Sequence, residues 1–273
     1  MSIRAHIKAW TPPAIVDARR HWLGHTLRFG DAGDDWAAAG RQSSGYAADV
    51  IVDRVAQATR EVIAGRAVFE RDSVLFHEPD YRYPIVAALL HCAQANNGRL
   101  DVIDFGGSLG STYRQCKPLL GGVRELRWRV IEQPKFVAVG RREFTTDELG
   151  FAESADELPP SDVPALILVS SVLQYLEQPH SALDRLLQRR ASHLVFDRTP
   201  MSARAEDRLC IQQVPKSIYD ASYPCWVLSR PNLLRRLAAA GWDVLGEFPG
   251  MEGAFTTPSG LAFEFRGFIA CKK

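Results

Sequence analysis

The chain has 273 residues and a formal net charge of +1, with 46% hydrophobic and 24% charged residues. This balance is typical of a globular chain and argues against extended disorder, and the length suits one large domain with a smaller addition. A nearly neutral chain has no strong field to attract nucleic acid or an anionic membrane. No apolar run is long enough to span a bilayer, and the N-terminus has no apolar signal core. We therefore expect a soluble, cytoplasmic protein with no nucleic-acid or membrane partner.

The five cysteines are odd in number, are widely spaced and include no C-x-x-C pair. They indicate neither a disulfide framework nor a zinc ribbon. His21 and His25 have a spacing that could face one metal ion on a helix. No Glu lies between them as in H-E-x-x-H, and Gly24 weakens the helix, so no metal site is predicted.

The N-terminal part differs in pattern from the rest of the chain. Its tryptophans and prolines are scattered without the alternation of a strand. From Ser44 to Gly65 apolar residues recur at steps of three and four, which predicts an amphipathic helix. A second helix is predicted from Pro84 to about Asn97. We interpret residues 1–83 as a helical appendage or lid on a domain formed by residues 84–273.

From Leu100 onward strand patterns alternate with helix patterns, and the last helix is marked by Ser229 as its cap and Gly241 as its stop. The last two strands follow one another without a helix, which predicts a hairpin. The pattern predicts an α/β fold: a doubly wound, Rossmann-like, mostly parallel seven-stranded sheet with an antiparallel terminal hairpin. The seven predicted strands lie near residues 100–105, 126–131, 150–152, 165–170, 193–197, 243–248 and 262–271.

The most informative stretch is Leu100–Ser111, a short apolar strand that ends in a glycine-rich turn. Such a turn lies at the carboxyl end of the strands, where ligands bind in α/β sheets. Asp104 precedes the first glycine by two residues; it would repel a pyrophosphate and attract a ligand that carries an ammonium and a sulfonium. The dinucleotide-binding motif G-x-G-x-x-G is also absent, because Ser108 stands where that motif has a glycine. These features predict S-adenosylmethionine as the cofactor.

Glu132 stands at the end of the second predicted strand, where a carboxylate can accept hydrogen bonds from ribose hydroxyls. Ribose recognition by itself does not separate S-adenosylmethionine from NAD. Taken singly, the glycine turn could be only a tight turn and Glu132 only a solvated acid. Together, in an alternating chain, they favour a cofactor site.

The order of motifs resembles the class I S-adenosylmethionine-dependent methyltransferases over about residues 84 to 273, and is most similar to a bacterial group known mainly from genome sequences. The resemblance is carried by Asp104–Gly110, Val130–Gln133, Ser170–Leu176, Asp197–Pro200 and Ser222–Trp226. It implies a last strand inserted antiparallel, an adenine loop at Ser154–Glu157 and a donor flanked by Ser170 and Ser171. At Ser108 the class more often has glycine. The predicted cofactor-binding residues are Asp104, Gly106, Gly107, Ser108, Gly110, Glu132, Gln133, Ser154, Ser170 and Ser171.

The acceptor side is expected at the carboxyl ends of the fourth and fifth strands. Asp197 could take a proton from the acceptor, and Arg198 could clamp a carboxylate or phosphate, although both could instead anchor their own loop. The aromatic segment 219–226 could form the wall of a pocket or pack against the sheet. The candidate catalytic residues are Asp197, Tyr175 and His180, and the candidate substrate-binding residues are Gln174, Arg198, Tyr219, Tyr223 and Trp226.

The sequence thus predicts an S-adenosylmethionine-dependent methyltransferase that acts on a small molecule. The expected reaction is O- or N-methylation by direct displacement, in which the protein aligns the reactants and excludes water. Three alternatives stay open: another reaction of the same cofactor such as cyclisation or elimination, an NAD-dependent oxidoreductase, and a non-catalytic fold that binds a nucleoside or a protein partner. A homodimer is compatible with the sequence, which does not identify the acceptor.

Overall fold

The computed structural model describes residues 27–44, 48–215 and 221–273. Tyr219, His21 and His25 lie outside these residues. Within them, no helix combines the length and apolarity needed to cross a membrane. The α-helices are α1 (Trp36–Gln42), α2 (Ala48–Ile63), α3 (Tyr83–Ala95), α4 (Ser111–Cys116), α5 (Pro134–Val139), α6 (Pro179–Leu187) and α7 (Arg230–Ala239). The strands are β1 (Arg28–Asp31), β2 (Phe69–Arg71), β3 (Val74–Phe76), β4 (Arg99–Phe105), β5 (Glu125–Ile131), β6 (Leu149–Ala152), β7 (Ala165–Ser170), β8 (Ala191–Ser202), β9 (Arg208–Gln213), β10 (Ser222–Ser229), β11 (Trp242–Thr256) and β12 (Ala262–Lys272).

A central sheet organises the molecule. Its order begins β6-β5-β4-β7-β8, and these five strands are parallel. On the other side of β8 lies β12, which runs antiparallel to β8 and to its outer neighbour β11. The parallel strands end in line: Phe105 pairs with Ile131 and Ile131 with Ala152, while Ser170 pairs with Asp197. The predicted α/β class with a largely parallel sheet is confirmed.

Helices cover both faces of this sheet. Side chains alternate along each strand, so Leu166 and Leu168 belong to one apolar cluster and Ile167 and Val169 to the other. Helices α2 to α5 contribute to the first cluster, and α6 and α7 to the second. Asp104 follows Leu100 and Val102 on the first face, which brings a carboxylate into an otherwise apolar layer.

Within the described residues the sheet has ten strands rather than the seven predicted. Strand β8 continues beyond the end of β7, and its last residues, Met201 and Ser202, pair with β10. Strands β9 and β1 extend the sheet outward from β10 in antiparallel steps. The pattern missed this extension because β10 contains Pro224, which weakens a strand prediction, and because β1 has only four residues.

The N-terminal part is not purely helical as predicted, since β1 and the hairpin β2–β3 belong to it. The two expected helices are present as α2 and α3. The hairpin turns at Asp72 and Ser73, whose φ angles of 52° and 65° are those of a two-residue hairpin turn. Its turn lies over the carboxyl ends of the parallel strands, next to the glycine loop. The proposed division between residues 83 and 84 stays a prediction.

Candidate functional site

A cleft of about 630 Å³ lies above the glycine loop, where the parallel strands end. The sheet, the loop and the N-terminal hairpin all contribute to its walls. Eight residues predicted for the site line this one cleft, although they come from three separate strand ends: Asp104, Gly106, Gly107, Ser108, Ser170, Ser171, Asp197 and Arg198.

The glycine loop leaves β4 in conformations that side chains disfavour. Gly106 and Gly110 have φ angles of 75° and 86°, and Ser108 has a φ of 56° where glycine would be unstrained. A Cβ atom on Gly107 would lie 2.4 Å from the carboxyl carbon of Asp104. The backbone at Gly107 therefore rests directly on this carboxylate, and only glycine allows that approach.

Asp104 is 1% exposed, and its Oδ2 accepts a hydrogen bond of 2.9 Å from the Trp128 indole. Burial raises its pKa to about 7, although the bond from Trp128 opposes the shift. The sequence suggested an acid that points at the ligand. The structure instead places the carboxylate under the loop at the floor of the cleft, where its charge acts at short range in a medium of low dielectric constant.

Glu132 follows the last residue of β5, as predicted. Its carboxylate accepts a hydrogen bond of 2.7 Å from the backbone N–H of Gln133 and another from the backbone N–H of Ser108. Burial raises its pKa. Both bonds use backbone donors of adjoining loops, so the acid ties the end of β5 to the glycine loop.

The other predicted cofactor residues share this edge but do not line the cleft. Gln133 is exposed, and Ser154 caps a short 3₁₀ helix after β6. Gly110 precedes α4, and a Cβ there would lie 2.9 Å from Leu149 and Arg114. Gly110 therefore serves close packing at the start of α4, and the places of Gln133 and Ser154 fit an outer part of a ligand site.

Asp197 lies in the cleft but is already paired. The guanidinium of Arg82, at the first turn of α3, donates from Nη2 to Oδ1 and from Nε to Oδ2 at 3.3 Å. Ser170 donates its hydroxyl to Oδ2 at 3.2 Å. Asp197 is 1% exposed, so the candidate proton acceptor is a buried ion pair.

Arg198 is held by two carboxylates on either side. Its Nη2 lies 2.9 Å from Asp72 in the hairpin turn, and its Nε lies 2.5 Å from Glu252 in β11. The backbone of Arg198 has a φ of 51°. These bonds agree with the anchoring alternative, because they neutralise the guanidinium that was expected to clamp a substrate anion.

The hairpin adds three cleft residues that sequence reasoning missed: Glu70, Arg71 and Asp72. Glu70 accepts hydrogen bonds from the Ser111 hydroxyl and from the backbone N–H of Ser73 at 3.2 Å, and burial raises its pKa to about 7. Arg71 packs its guanidinium against Phe69 and Phe76. The segment 69–76 has turn-forming residues at Asp72 and Ser73 but no alternation of apolar and polar residues, so its sequence carries no clear strand signal.

Arg71 is the cleft arginine with the weakest pairing. Its side chain is 16% exposed, and its ion pair with Asp80 spans 3.6 Å. Its Nη2 atom is buried, and no residue that the structure describes accepts a hydrogen bond from it. A buried guanidinium N–H without an acceptor is costly, so this atom is a natural partner for an anionic ligand.

The remaining predicted residues lie outside the cleft. Gln174 is buried and donates to the Ser171 hydroxyl and the Arg198 carbonyl at 3.2 and 3.3 Å. Tyr175 donates its hydroxyl to Gln212 at 3.1 Å, and burial raises its pKa. His180 lies 2.6 Å from Asp207, which also accepts the backbone N–H of Ser229. These contacts join loops and helix ends, which favours structural roles for Tyr175 and His180 over catalytic ones.

Of the aromatic residues expected to wall a pocket, Tyr223 and Trp226 lie in β10 and pack against other aromatic side chains, and Tyr219 lies outside the described residues. Trp226 stacks on Trp36 with ring centroids 5.9 Å apart, and Tyr223 meets Tyr175 edge-on at 5.1 Å. The thiol of Cys225 is fully buried, and burial raises its pKa. This arrangement corresponds to the packing alternative of the sequence interpretation.

No protein-family model and no curated protein matches the chain. Solved structures are similar at low identity. The 1,6-didemethyltoxoflavin-N1-methyltransferase of Burkholderia thailandensis, with substrate and S-adenosylhomocysteine bound, has 15% identity and a TM-score of 0.44, covering 90% of this chain and 95% of its own. An amino pentose methyltransferase of Micromonospora echinaspora, with S-adenosylmethionine bound, has 11% identity and a TM-score of 0.45, covering 71% and 91%. The glycopeptide N-methyltransferase MtfA with S-adenosylmethionine has 11% identity and a TM-score of 0.45, covering 68% and 87%.

Proposed function

We propose that the protein is an S-adenosylmethionine-dependent methyltransferase that acts on a small-molecule acceptor. The observation that carries the proposal is the contact between Gly107 and Asp104, a bare backbone loop resting on a buried carboxylate at the carboxyl edge of the sheet. The order of the strands, with β12 inserted antiparallel between β8 and β11, agrees with the fold that the motifs imply.

The residues of the cleft fit this cofactor. Asp104 and Glu70 supply two buried carboxylates around the glycine loop, which suits a cationic group and disfavours a pyrophosphate. Outside the cleft lining, we propose that Glu132, at the end of β5, also accepts hydrogen bonds from the ribose hydroxyls, and that Gln133 and Ser154, further along the same edge, contact the outer part of the cofactor. When bound there, S-adenosylmethionine would supply a methyl group activated by a sulfonium.

The side chains around the cleft would then align the two reactants and exclude water from them. The hairpin turn at Asp72, held to Arg198, closes the cleft from above, and the Arg82–Asp197 pair closes its inner side. We propose direct displacement on an oxygen or nitrogen of the acceptor, with the main contribution from orientation and exclusion of water. Asp197 stays our candidate for receiving the acceptor's proton, which would require Arg82 to release it. Arg71, whose buried Nη2 forms a 3.6 Å ion pair with Asp80 but no hydrogen bond within the described residues, is our candidate for binding an anionic group of the acceptor.

Calorimetric titration of the full chain with S-adenosylmethionine, S-adenosylhomocysteine and NAD tests the cofactor. We expect both adenosyl ligands to bind, NAD to fail, and Asp104→Asn and Glu132→Gln each to weaken binding about tenfold. Asp184→Asn, which removes an exposed carboxylate paired with Arg236, is the control. Binding of NAD in place of the adenosyl ligands would overturn the proposal and favour the oxidoreductase alternative.

A second measurement separates methyl transfer from other uses of the cofactor. Incubation with a metabolite extract and S-adenosylmethionine carrying a labelled methyl group should transfer the label to a small molecule, with S-adenosylhomocysteine as the coproduct. Release of 5′-methylthioadenosine without methylated product would favour a cyclisation or elimination. Binding without any turnover would favour the non-catalytic alternative.

A further inference from the structure

A cluster of three metal-ligand side chains lies at the edge of the sheet opposite the cleft. His91 comes from α3, His193 from the start of β8 and Cys271 from the end of β12. Their candidate ligand atoms all lie within 4.8 Å of one another. His193 and Cys271 are directly opposed in the register of β8 and β12, so their proximity is fixed by backbone pairing.

The two histidines are joined by a hydrogen bond, and their facing nitrogens would separate to roughly 3.3 Å to bind one tetrahedral ion. His91 Nδ1 lies 2.8 Å from His193 Nε2, and the Ser192 hydroxyl lies 2.9 Å from His193 Nδ1. If His193 donates its Nδ1–H to Ser192, the lone pair on Nε2 faces His91. A hydrogen bond on the second ring nitrogen is what orients a metal-binding histidine.

The side chain of His91 is exposed, which gives an ion a route from solvent, whereas His193 is buried.

We propose that His91 Nδ1, His193 Nε2 and Cys271 Sγ bind a divalent ion of the zinc type, with water as the fourth ligand. Two imidazoles and a thiolate suit zinc, and four-coordinate geometry leaves one position for water. On binding, the His91 proton shifts from Nδ1 to Nε2 and the Cys271 thiol releases its proton to solvent. The ion replaces the proton that the two imidazole nitrogens now share.

The site would act at a distance from the cleft. His193 lies four residues before Asp197 on β8, roughly 13 Å at the rise of a strand. The ion would join α3 to β8 and β12, and α3 begins beside Arg82, which reaches the cleft. Its expected role is therefore to hold this helix in place. The inference does not depend on the proposed methyltransferase activity.

Zinc titration of the metal-stripped full chain in competition with a chromophoric chelator tests the proposal. We expect one ion per chain, and at least tenfold weaker binding in His193→Ala and in Cys271→Ser. His77→Ala, which removes an exposed histidine outside the cluster, should bind zinc as the wild type does. Added zinc should raise the melting temperature of the wild type and of His77→Ala only.

Cobalt supplies a readout specific to the thiolate. The cobalt-loaded wild type should show a sulfur-to-cobalt charge-transfer band that is absent in Cys271→Ser. His91→Asn changes an exposed side chain, so it should fold without metal and still lose zinc affinity. If the wild type binds zinc no more tightly than a His91→Asn/Cys271→Ser variant, or if cobalt gives no sulfur band, the site does not exist.

Discussion

The guanidinium of Arg82 binds the carboxylate of Asp197, so the start of α3 is joined to the middle of β8, where the neighbouring strand β7 ends. The side chains of Asp197 and Arg82 are 1% and 13% exposed. A third hydrogen bond comes from the Ser170 hydroxyl. Because an isolated buried charge is costly, each partner depends on the other, and the part of the chain before β4 is coupled to the sheet.

Removal of one partner of this pair should destabilise the protein strongly. We expect Arg82→Met to lower the free energy of unfolding by about 3 kcal/mol, since it leaves Asp197 buried and unpaired. The double variant Arg82→Met/Asp197→Asn should recover part of that loss. Arg236→Met, which removes a half-exposed partner of Asp184, should cost about 0.5 kcal/mol. Urea unfolding measures all three variants, and equal losses in Arg82→Met and Arg236→Met would contradict the argument.

The affinity for S-adenosylmethionine should rise with pH. Burial raises the pKa of Asp104 to about 7, and a cationic ligand binds its ionised form. For one linked proton we expect about tenfold tighter binding at pH 8 than at pH 6. S-adenosylhomocysteine, which lacks the sulfonium charge, should respond less. Calorimetry across this range is the measurement, and an undiminished slope in Asp104→Asn would exclude Asp104 as the linked group.

The same shift predicts how stability depends on pH without ligand. The pKa of Asp104 is higher in the folded chain, about 7, than its ordinary value of 3.8, so the folded state binds more protons. The stabilising contribution is complete below pH 4 and is lost as pH rises through 7. Wild type should therefore lose stability relative to Asp104→Asn between pH 5 and pH 8 in chemical unfolding. A constant difference between the two proteins would show that the carboxylate does not titrate there.

Gly107 should not tolerate a side chain. Its Cβ would lie 2.4 Å from the Asp104 carboxyl carbon, so Gly107→Ala must displace the loop or the acid. We expect a loss of about 2 kcal/mol in stability and the loss of S-adenosylhomocysteine binding. Gly121→Ala is the matched control, because a Cβ there has no described atom within 4 Å. Normal binding by Gly107→Ala would remove the contact on which the proposed function depends.

The stacked pair Trp36 and Trp226 should matter for stability rather than for binding. Trp226 is half-buried and its ring lies over that of Trp36. We expect Trp226→Ala to cost about 2 kcal/mol in unfolding free energy. Its affinity for S-adenosylhomocysteine should equal that of the wild type. Weaker ligand binding at unchanged stability would instead restore the predicted role of Trp226 in a pocket wall.

Arg71 should select acceptors that carry a negative charge. Its buried Nη2 lies 3.6 Å from Asp80 and donates no hydrogen bond to any described residue, so a bound anion could supply a closer acceptor. Among methylated products, we expect carboxylic acids to be preferred over their methyl esters, and Arg71→Met to raise KM for the acid with little change in kcat. The KM of the ester should not change. If the wild type has the same KM for the acid and for its ester, Arg71 does not bind the negative charge of the acceptor.

Several features of the molecule could be predicted from local sequence. The strand Leu100–Phe105, its glycine turn and the cap at Ser229 follow from apolar runs and backbone preferences that act over a few residues. The same local signals placed Asp104, Ser170 and Asp197 at strand ends. Parallel strands end at one edge, so these residues were expected together, and all three line the cleft.

Only tertiary structure decided which groups pair across distant parts of the chain. Glu70, Arg71 and Arg82 carry no local motif, and they reach the cleft because a hairpin and a helix pack over the sheet. His91, His193 and Cys271 meet through register and helix packing, which leave no spacing pattern in sequence. Local composition determined where the proposed ligand-binding edge lies. Long-range packing determined which charged side chains at this edge can bind a ligand. Burial and ion pairing, which the residue type does not reveal, decide which carboxylates and guanidinium groups are already occupied.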